Sequence, residues 1–283
     1  MSRQADLNCG TLFAYLFGME WSQSLTRLSV FFGAFVLLAV LEALLPDRKR
    51  AMKRKDRWWG AWLMLILSAV LARLAVPLGL AGAALWASEN NFGLFNVLGV
   101  NGNWEAWIIG FLVLDLAVWA QHVVMHKVPF LWRFHRVHHA DPDVDVTTAL
   151  RFHPGEILVS LGWKVLVVVL VGVPVIVSFW FEVILNACAM FNHANMKLPN
   201  WLDRPLRLFI VTPAMHRVHH SVDRYETDSN YGFCLSIWDR MFSAYNDDFA
   251  AGKDAETGLF RWRARSEQRI DKLLSLPLKH HRD

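Results

Sequence analysis

The chain has 283 residues, 54% of them hydrophobic, with fourteen Trp and nineteen Phe, and a mean hydropathy of +0.27, which excludes an average water-soluble domain and points to the membrane. The net charge of +4 and isoelectric point near 9.1 do not indicate nucleic acid, because the basic residues flank apolar segments and no binding motif accompanies them. The three cysteines, Cys9, Cys188 and Cys234, have no paired or metal-like spacing, so neither a disulfide framework nor a thiolate site is implied.

At the N-terminus the short apolar stretch Thr11 to Phe17 precedes Glu20 rather than a small-residue cleavage site, so a surface-lying first helix is expected instead of a signal peptide. Residues 28–45 form the first apolar tract long enough to cross a bilayer, interrupted by Glu42 and stopped by Pro46. A basic run follows, with Arg48, Lys49, Arg50, Lys53, Arg54, Lys55 and Arg57. It places that loop in the cytoplasm, with Trp58 and Trp59 at the interface. The second span is expected over 58–80, with Arg73 near the far interface and able to snorkel. Segment 88–104 contains no Lys or Arg and is rich in Asn and Gly, which fits the outer, periplasmic side of a bacterial inner membrane. Ala106 to Met125 then returns the chain, with His122 and His126 at its inner end.

The next element carries His135-Arg136-Val137-His138-His139, a pentapeptide that recurs as His216-Arg217-Val218-His219-His220. Within each copy the imidazoles fall at i, i+3 and i+4, one face of a helix, so each triplet can converge on one point. His122 and His126 are also four apart. Eight imidazoles in helical register suit iron, zinc, copper or nickel. A nitrogen-only ion takes about four ligands, so eight imply two metals. A single histidine on an apolar face is usually a packed, hydrogen-bonded residue, but three matched groups are poorly explained that way. Without metal, clustered imidazoles would repel once protonated near pH ~6.5.

Between the two copies, Ile157 to Phe191 is too long for one crossing of a ~30 Å core, and Gly172-Val173-Pro174 sits near its middle. A helical hairpin bent there returns the chain to the side it left, as a shared metal site requires. Lys164 lies inside the first arm, so the hairpin is read as either fully spanning or partly re-entrant. The tail from 246 is charged, and His280 and His281 in it are read as ordinary surface residues.

The ordered set His122-Val123-Val124-Met125-His126, His135 to His139 and His216 to His220 resembles the fatty acid hydroxylase / sterol desaturase superfamily of membrane non-haem di-iron oxygenases. Connecting motifs match too: Leu131-Trp132-Arg133, Arg151-Phe152-His153-Pro154-Gly155-Glu156, Phe191-Asn192-His193-Ala194-Asn195, Thr212-Pro213, Asn230-Tyr231-Gly232, and Trp238-Asp239-Arg240 with Phe242. The similarity covers roughly residues 105–245.

The resemblance implies an all-α integral membrane helical bundle of about three spans plus a hairpin, topped by a cytosolic histidine-rich cap. The cap is to hold two irons, with zinc as a replacement on overexpression, and to use O2 to hydroxylate or desaturate a lipid. The resulting organisation is a single membrane domain over 1–283. It has spans in 28–125, a first cap segment at 122–155, a hairpin at 156–192, a second cap segment at 193–245 and a cytosolic tail at 246–283. Metal ligands are assigned to His122, His126, His135, His138, His139, His216, His219 and His220, their division between the metals left open.

His193 resembles an additional family ligand, although Lys197 stands where some members carry a second histidine. His153 is a further candidate, or a supporting cap. Asp141, Asp143, Asp145, Glu156, Asp223, Glu226 and Asp239 are candidates to fix the outer N–H of the ligands. Asp115, a carboxylate inside a span, is assigned to the substrate channel or to a neighbouring helix. Arg136 and Arg217 are expected to point away from the ligand face. Beyond the lipid substrate and membrane lipids, an external electron donor of the cytochrome b5, ferredoxin or reductase type is expected. The competing reading is a non-catalytic membrane protein that binds or transports zinc.

Overall fold

The computed structural model describes residues 9–250, 252 and 255–279; His280 and His281 lie outside them. The described residues are helical, with no extended strands. They run α1 (Cys9–Leu44), α2 (Arg54–Ala75), α3 (Gly79–Glu89), α4 (Leu94–Val97), α5 (Trp104–Lys127), α6 (Pro129–His139), α7 (Pro154–Val171), α8 (Val175–His193), α9 (Asn200–Leu206), α10 (Pro213–His219), α11 (Arg224–Thr227), α12 (Ile237–Met241) and α13 (Ile270–Ser275). Five segments among them are long and apolar enough to cross a membrane: Ser24–Leu44, Arg54–Val97, Trp104–Lys127, Pro154–Val171 and Val175–His193.

Two elements differ from the sequence expectation. The helix expected to lie on the surface over Thr11–Phe17 is continuous with the first crossing, because nothing in 9–44 breaks α1. The second crossing is divided. Pro77 has no N–H to continue α2 and disfavours helical geometry at Val76, so α2 stops at Ala75 and α3 restarts at Gly79, whose φ is +60°. Ser68 of α2 lies beside Phe152, just before α7.

Helices α7 and α8 form the hairpin. Gly172, in the left-handed region at φ +72°, ends α7, and Pro174 opens α8. The loop before α5 closes over the hairpin tip, with Asn101 donating to the Gly172 carbonyl at 2.9 Å. Opposite, the end of α1 is tied to the histidine end: Glu42, fully buried, accepts from the backbone N–H of Val146 and Asn195, both at 3.1 Å. The membrane core is apolar, with Leu80, Ala84, Leu114, Val118, Val168, Val173, Val177 and Phe181 packed together.

Around the histidines the chain is more polar, and its charges are paired. Arg57 of α2 donates to Asp141 at 2.6 and 2.8 Å and to Asp145 at 2.8 Å, all three side chains being buried. Burial disfavours the Asp141 carboxylate, but Arg57 and Arg151 outweigh it and hold the group below its usual range. The segment after 246 is no free tail, since Leu259, Leu273 and Leu276 pack with Met64, Trp132 and Val137.

Candidate metal centre

The histidine-bearing elements start where the local sequence dictates. Pro129 and Pro213 occupy the first turns of α6 and α10, where the missing N–H costs nothing and φ is preset. Thr212 caps α10 through the Met215 N–H. Arg151 closes the other end of α6 by donating to the carbonyls of Val137 and Ala140.

Nine buried histidines gather in two groups. The first contains His122 and His126 from α5, His135 and His139 from α6, and His219 from α10; the second contains His138 from α6, His193 from α8, His216 from α10 and His220, which caps the end of α10. Within each group one ring nitrogen per residue lies within 4.8 Å of the others. The expectation that each pentapeptide converges on one point is corrected here. Each copy is divided between the groups, its i and i+4 imidazoles facing one and its i+3 imidazole the other. The reason is helical: i+3 and i+4 are ~100° apart around the axis, so one triplet serves two centres.

The protonation pattern tests whether a cation fits. A carbonyl oxygen only accepts, so an Nδ1 facing one carries the proton. His122 Nδ1 donates to the Tyr231 carbonyl at 2.7 Å, His138 to Thr148 at 3.1 Å, His193 to Ala189 at 2.6 Å and His219 to Ser229 at 2.6 Å. His135 Nδ1 meets a Glu156 carboxylate oxygen at 2.6 Å. The Nε2 atoms of these rings are therefore bare lone pairs. Yet His122 and His135 place Nε2 atoms 3.0 Å apart, and so do His138 and His193.

Burial, reinforced by neighbouring imidazoles, pushes His138, His139, His216 and His220 well below their ordinary pKa, and burial takes His219 down to about 3. A proton therefore does not bridge His138 Nε2 to its neighbour at neutral pH. Ligands ~2.0–2.1 Å from one ion stand ~3 Å apart, and the donor set fits a cation in each group.

Other expected residues have different places. His153 belongs to neither group; its Nδ1 accepts from the Gly155 N–H at 3.0 Å and caps α7. Asp115 packs against α12, accepting from Trp238 Nε1 at 2.9 Å and the Leu235 N–H at 3.2 Å. Asp239 accepts from the Tyr231 N–H at 2.8 Å and so fixes the carbonyl that orients His122. Burial pushes its carboxyl up to about 6, against three donated hydrogen bonds from Trp119, Tyr231 and Gly232. Arg136 donates to the Leu276 and Lys279 carbonyls, and Arg217 pairs with Asp47, both away from the ring cluster. Asp228, absent from the expected acids, stands 3.4 Å from His126 Nδ1.

Beneath the first group lies a cavity of about 150 Å³. His122 and His135 line it together with Gln121, Met125, Leu150, Glu156, Ile157, Leu185 and Phe233. It extends between α5, α7 and α8 into the apolar bundle.

These features define a membrane-embedded helical protein with a buried polyhistidine centre above an apolar cavity. The family model described as fatty acid hydroxylase matches residues 107–244. It is 24% identical over 226 residues to the ornithine lipid hydroxylase of Rhizobium tropici, covering 77% of this chain and 66% of that one. It is 33% identical over 162 residues to human alkylglycerol monooxygenase, covering 55% of this chain and 33% of the relative. A cholesterol 25-hydroxylase-like protein of Danio rerio is 29% identical over 153 residues, 53% of this chain and 51% of that protein. The chain thus spans between a third and two thirds of these relatives. No solved structure matches it.

Proposed function

We propose that this protein is an integral-membrane di-iron oxygenase that hydroxylates a C–H bond of a lipid, with desaturation as the variant outcome. The observation that carries the reading is the coincidence of bare, buried imidazole lone pairs with an apolar cavity whose wall includes His122 and His135. Lipid-hydroxylating relatives support the same class. The overall conversion takes a C–H bond, O2, two electrons and two protons to a C–OH bond and water. When bound, two irons supply the activation of O2 that no acid, base or nucleophilic side chain achieves.

The nine histidines, including His193, are proposed to hold the metals, and the protein's further part is orientation and exclusion. The carbonyls of Tyr231, Thr148, Ala189 and Ser229 and the Glu156 carboxylate fix the ring tautomers, aiming Nε2 inward. Apolar walls from Met125, Leu150, Ile157, Leu185 and Phe233 receive a hydrocarbon segment beside His122 and keep water from the reacting carbon. The electrons come from a separate donor of the cytochrome b5, ferredoxin or reductase type. The basic loop at 47–57 shares the histidine end of the bundle, with Ala51 and Met52 donating to Asp143. By the distribution of positive charge this end faces the cytoplasm of a bacterial inner membrane.

The second reading is a zinc-binding or zinc-transporting protein. A transporter places its ligands near mid-membrane, whereas these cluster at helix ends and in the cap. Lipid mass spectrometry of a host with and without the protein tests the proposal. The expected result is a lipid that has gained one oxygen or lost two hydrogens and that disappears with His138→Ala. An unchanged lipid profile in a metal-replete, folded protein overturns it.

A further inference from the structure

Lys164 is midway along α7, in a segment apolar enough to cross the membrane. It shares one helix face with Glu156 and Ser160, and all three line the cavity beneath His122 and His135. From Glu156 to Lys164 is roughly 12 Å along the axis, so the cavity has the histidine centre at one end and an ammonium group at the other. Asn186 of α8 also lines it, and is shared with a second cavity between α1 and α8 bounded by Arg27, Phe31 and Glu182.

The charges at this depth do not balance. Glu182 is already engaged by Arg27, which donates to it. Lys164 has no hydrogen bond or salt bridge among the described residues, and its charged neighbours are Glu182 and Arg27 alone. Of these three groups two are cations and one a carboxylate, and the cavity's other carboxylate, Glu156, is held by His135 Nδ1 roughly 12 Å away, so an excess positive charge stays at the Lys164 end where unpaired charge is costly. A ligand carrying one negative charge restores neutrality. A phosphate monoester, at about −1.5 to −2, overshoots it.

We infer that Lys164 is a substrate-positioning residue that binds the carboxylate of a monoanionic lipid, setting its chain toward the histidine centre so that oxidation falls partway along the chain. This rests on reading the cavity as the substrate site. The Ser160 hydroxyl on the same wall offers a second donor to the carboxylate.

The test is equilibrium binding to the full metal-loaded chain in zwitterionic nanodiscs, with lauric acid, methyl laurate and dodecyl phosphate as probes at about pH 8, where the acid is ionised. The acid is expected to bind about tenfold or more tighter than the ester. That preference vanishes in Lys164→Met, persists in Lys164→Arg, and leaves metal content unchanged. Equal affinity of the wild-type protein for acid and ester overturns the inference without reference to any variant. So does a preference that survives Lys164→Met, or tighter binding of the phosphate than of the acid. None of these depends on turnover, so failure of the oxygenase reading is detected separately, by metal content and lipid product.

Discussion

The Nδ1 of His135 and a carboxylate oxygen of Glu156 are 2.6 Å apart, while the second Glu156 oxygen is buried without a partner among the described residues. One carboxylate thus holds a histidine in the orientation that bares its Nε2 and presents its remaining oxygen beside the cavity it lines. Carboxylates in this arrangement raise ligand basicity and fix the tautomer.

Glu156→Gln is therefore expected to lower metal affinity about 10- to 100-fold while leaving the helical content intact. Competition with a chelator of known affinity measures it. Unchanged affinity means that the carboxylate does not support the centre.

Acid should destabilise the metal-free protein. For His138, His139, His216, His219 and His220 the folded-state pKa lies below the ordinary 6.5. The unfolded chain therefore binds more protons below that pH, and stability falls as pH drops from about 6.5 toward the value of about 3 for His219. Denaturant midpoints between about pH 8 and pH 5 report the effect. A midpoint that rises on acidification contradicts the buried neutral imidazoles.

Much of this centre is legible in the sequence because histidine spacing and helical geometry are local. His122 with His126, and the two pentapeptides, announce themselves by register. What hides is non-local. The division of each triplet between two groups depends on how α6 and α10 face one another. Tyr231, Thr148, Ala189 and Ser229 contribute carbonyls, which carry no side-chain signal. Of the acids expected to hold the ligands, Glu156 meets a ring directly, while Asp141 and Asp145 serve Arg57 instead. The crossings are visible as apolar tracts, but the break at Val76 and Pro77 yields a divided second crossing that hydropathy reads as one span.

Arg57→Met should cost about 3–5 kcal/mol, since it leaves Asp145 a buried carboxylate without its cation and Asp141 with Arg151 alone. Thermal unfolding in detergent, compared with the Arg57→Met/Asp141→Asn double variant, separates a stranded charge from lost packing: the double variant recovers part of the loss if charge is the cause.

Gly93 has φ +93°, and a Cβ there meets the Val169 carbonyl oxygen at 2.4 Å and the Gly172 nitrogen at 2.5 Å. Gly93→Ala is expected to destabilise by roughly 1–3 kcal/mol through strain and separation of the loop from the hairpin tip. A wild-type melting temperature in this variant contradicts the packing of that loop on Gly172.

Metal content per chain tests the central claim most directly. Protein purified without chelator and analysed by inductively coupled plasma mass spectrometry should hold about two metal ions, since each group supplies four or five imidazoles. His138→Ala, which leaves the second group three imidazoles, should hold about one ion in a folded chain, whereas His219→Ala leaves the first group four and should weaken it without emptying it. Folded wild-type protein without stoichiometric metal, or a His138→Ala chain retaining the full complement, would contradict a two-centre site.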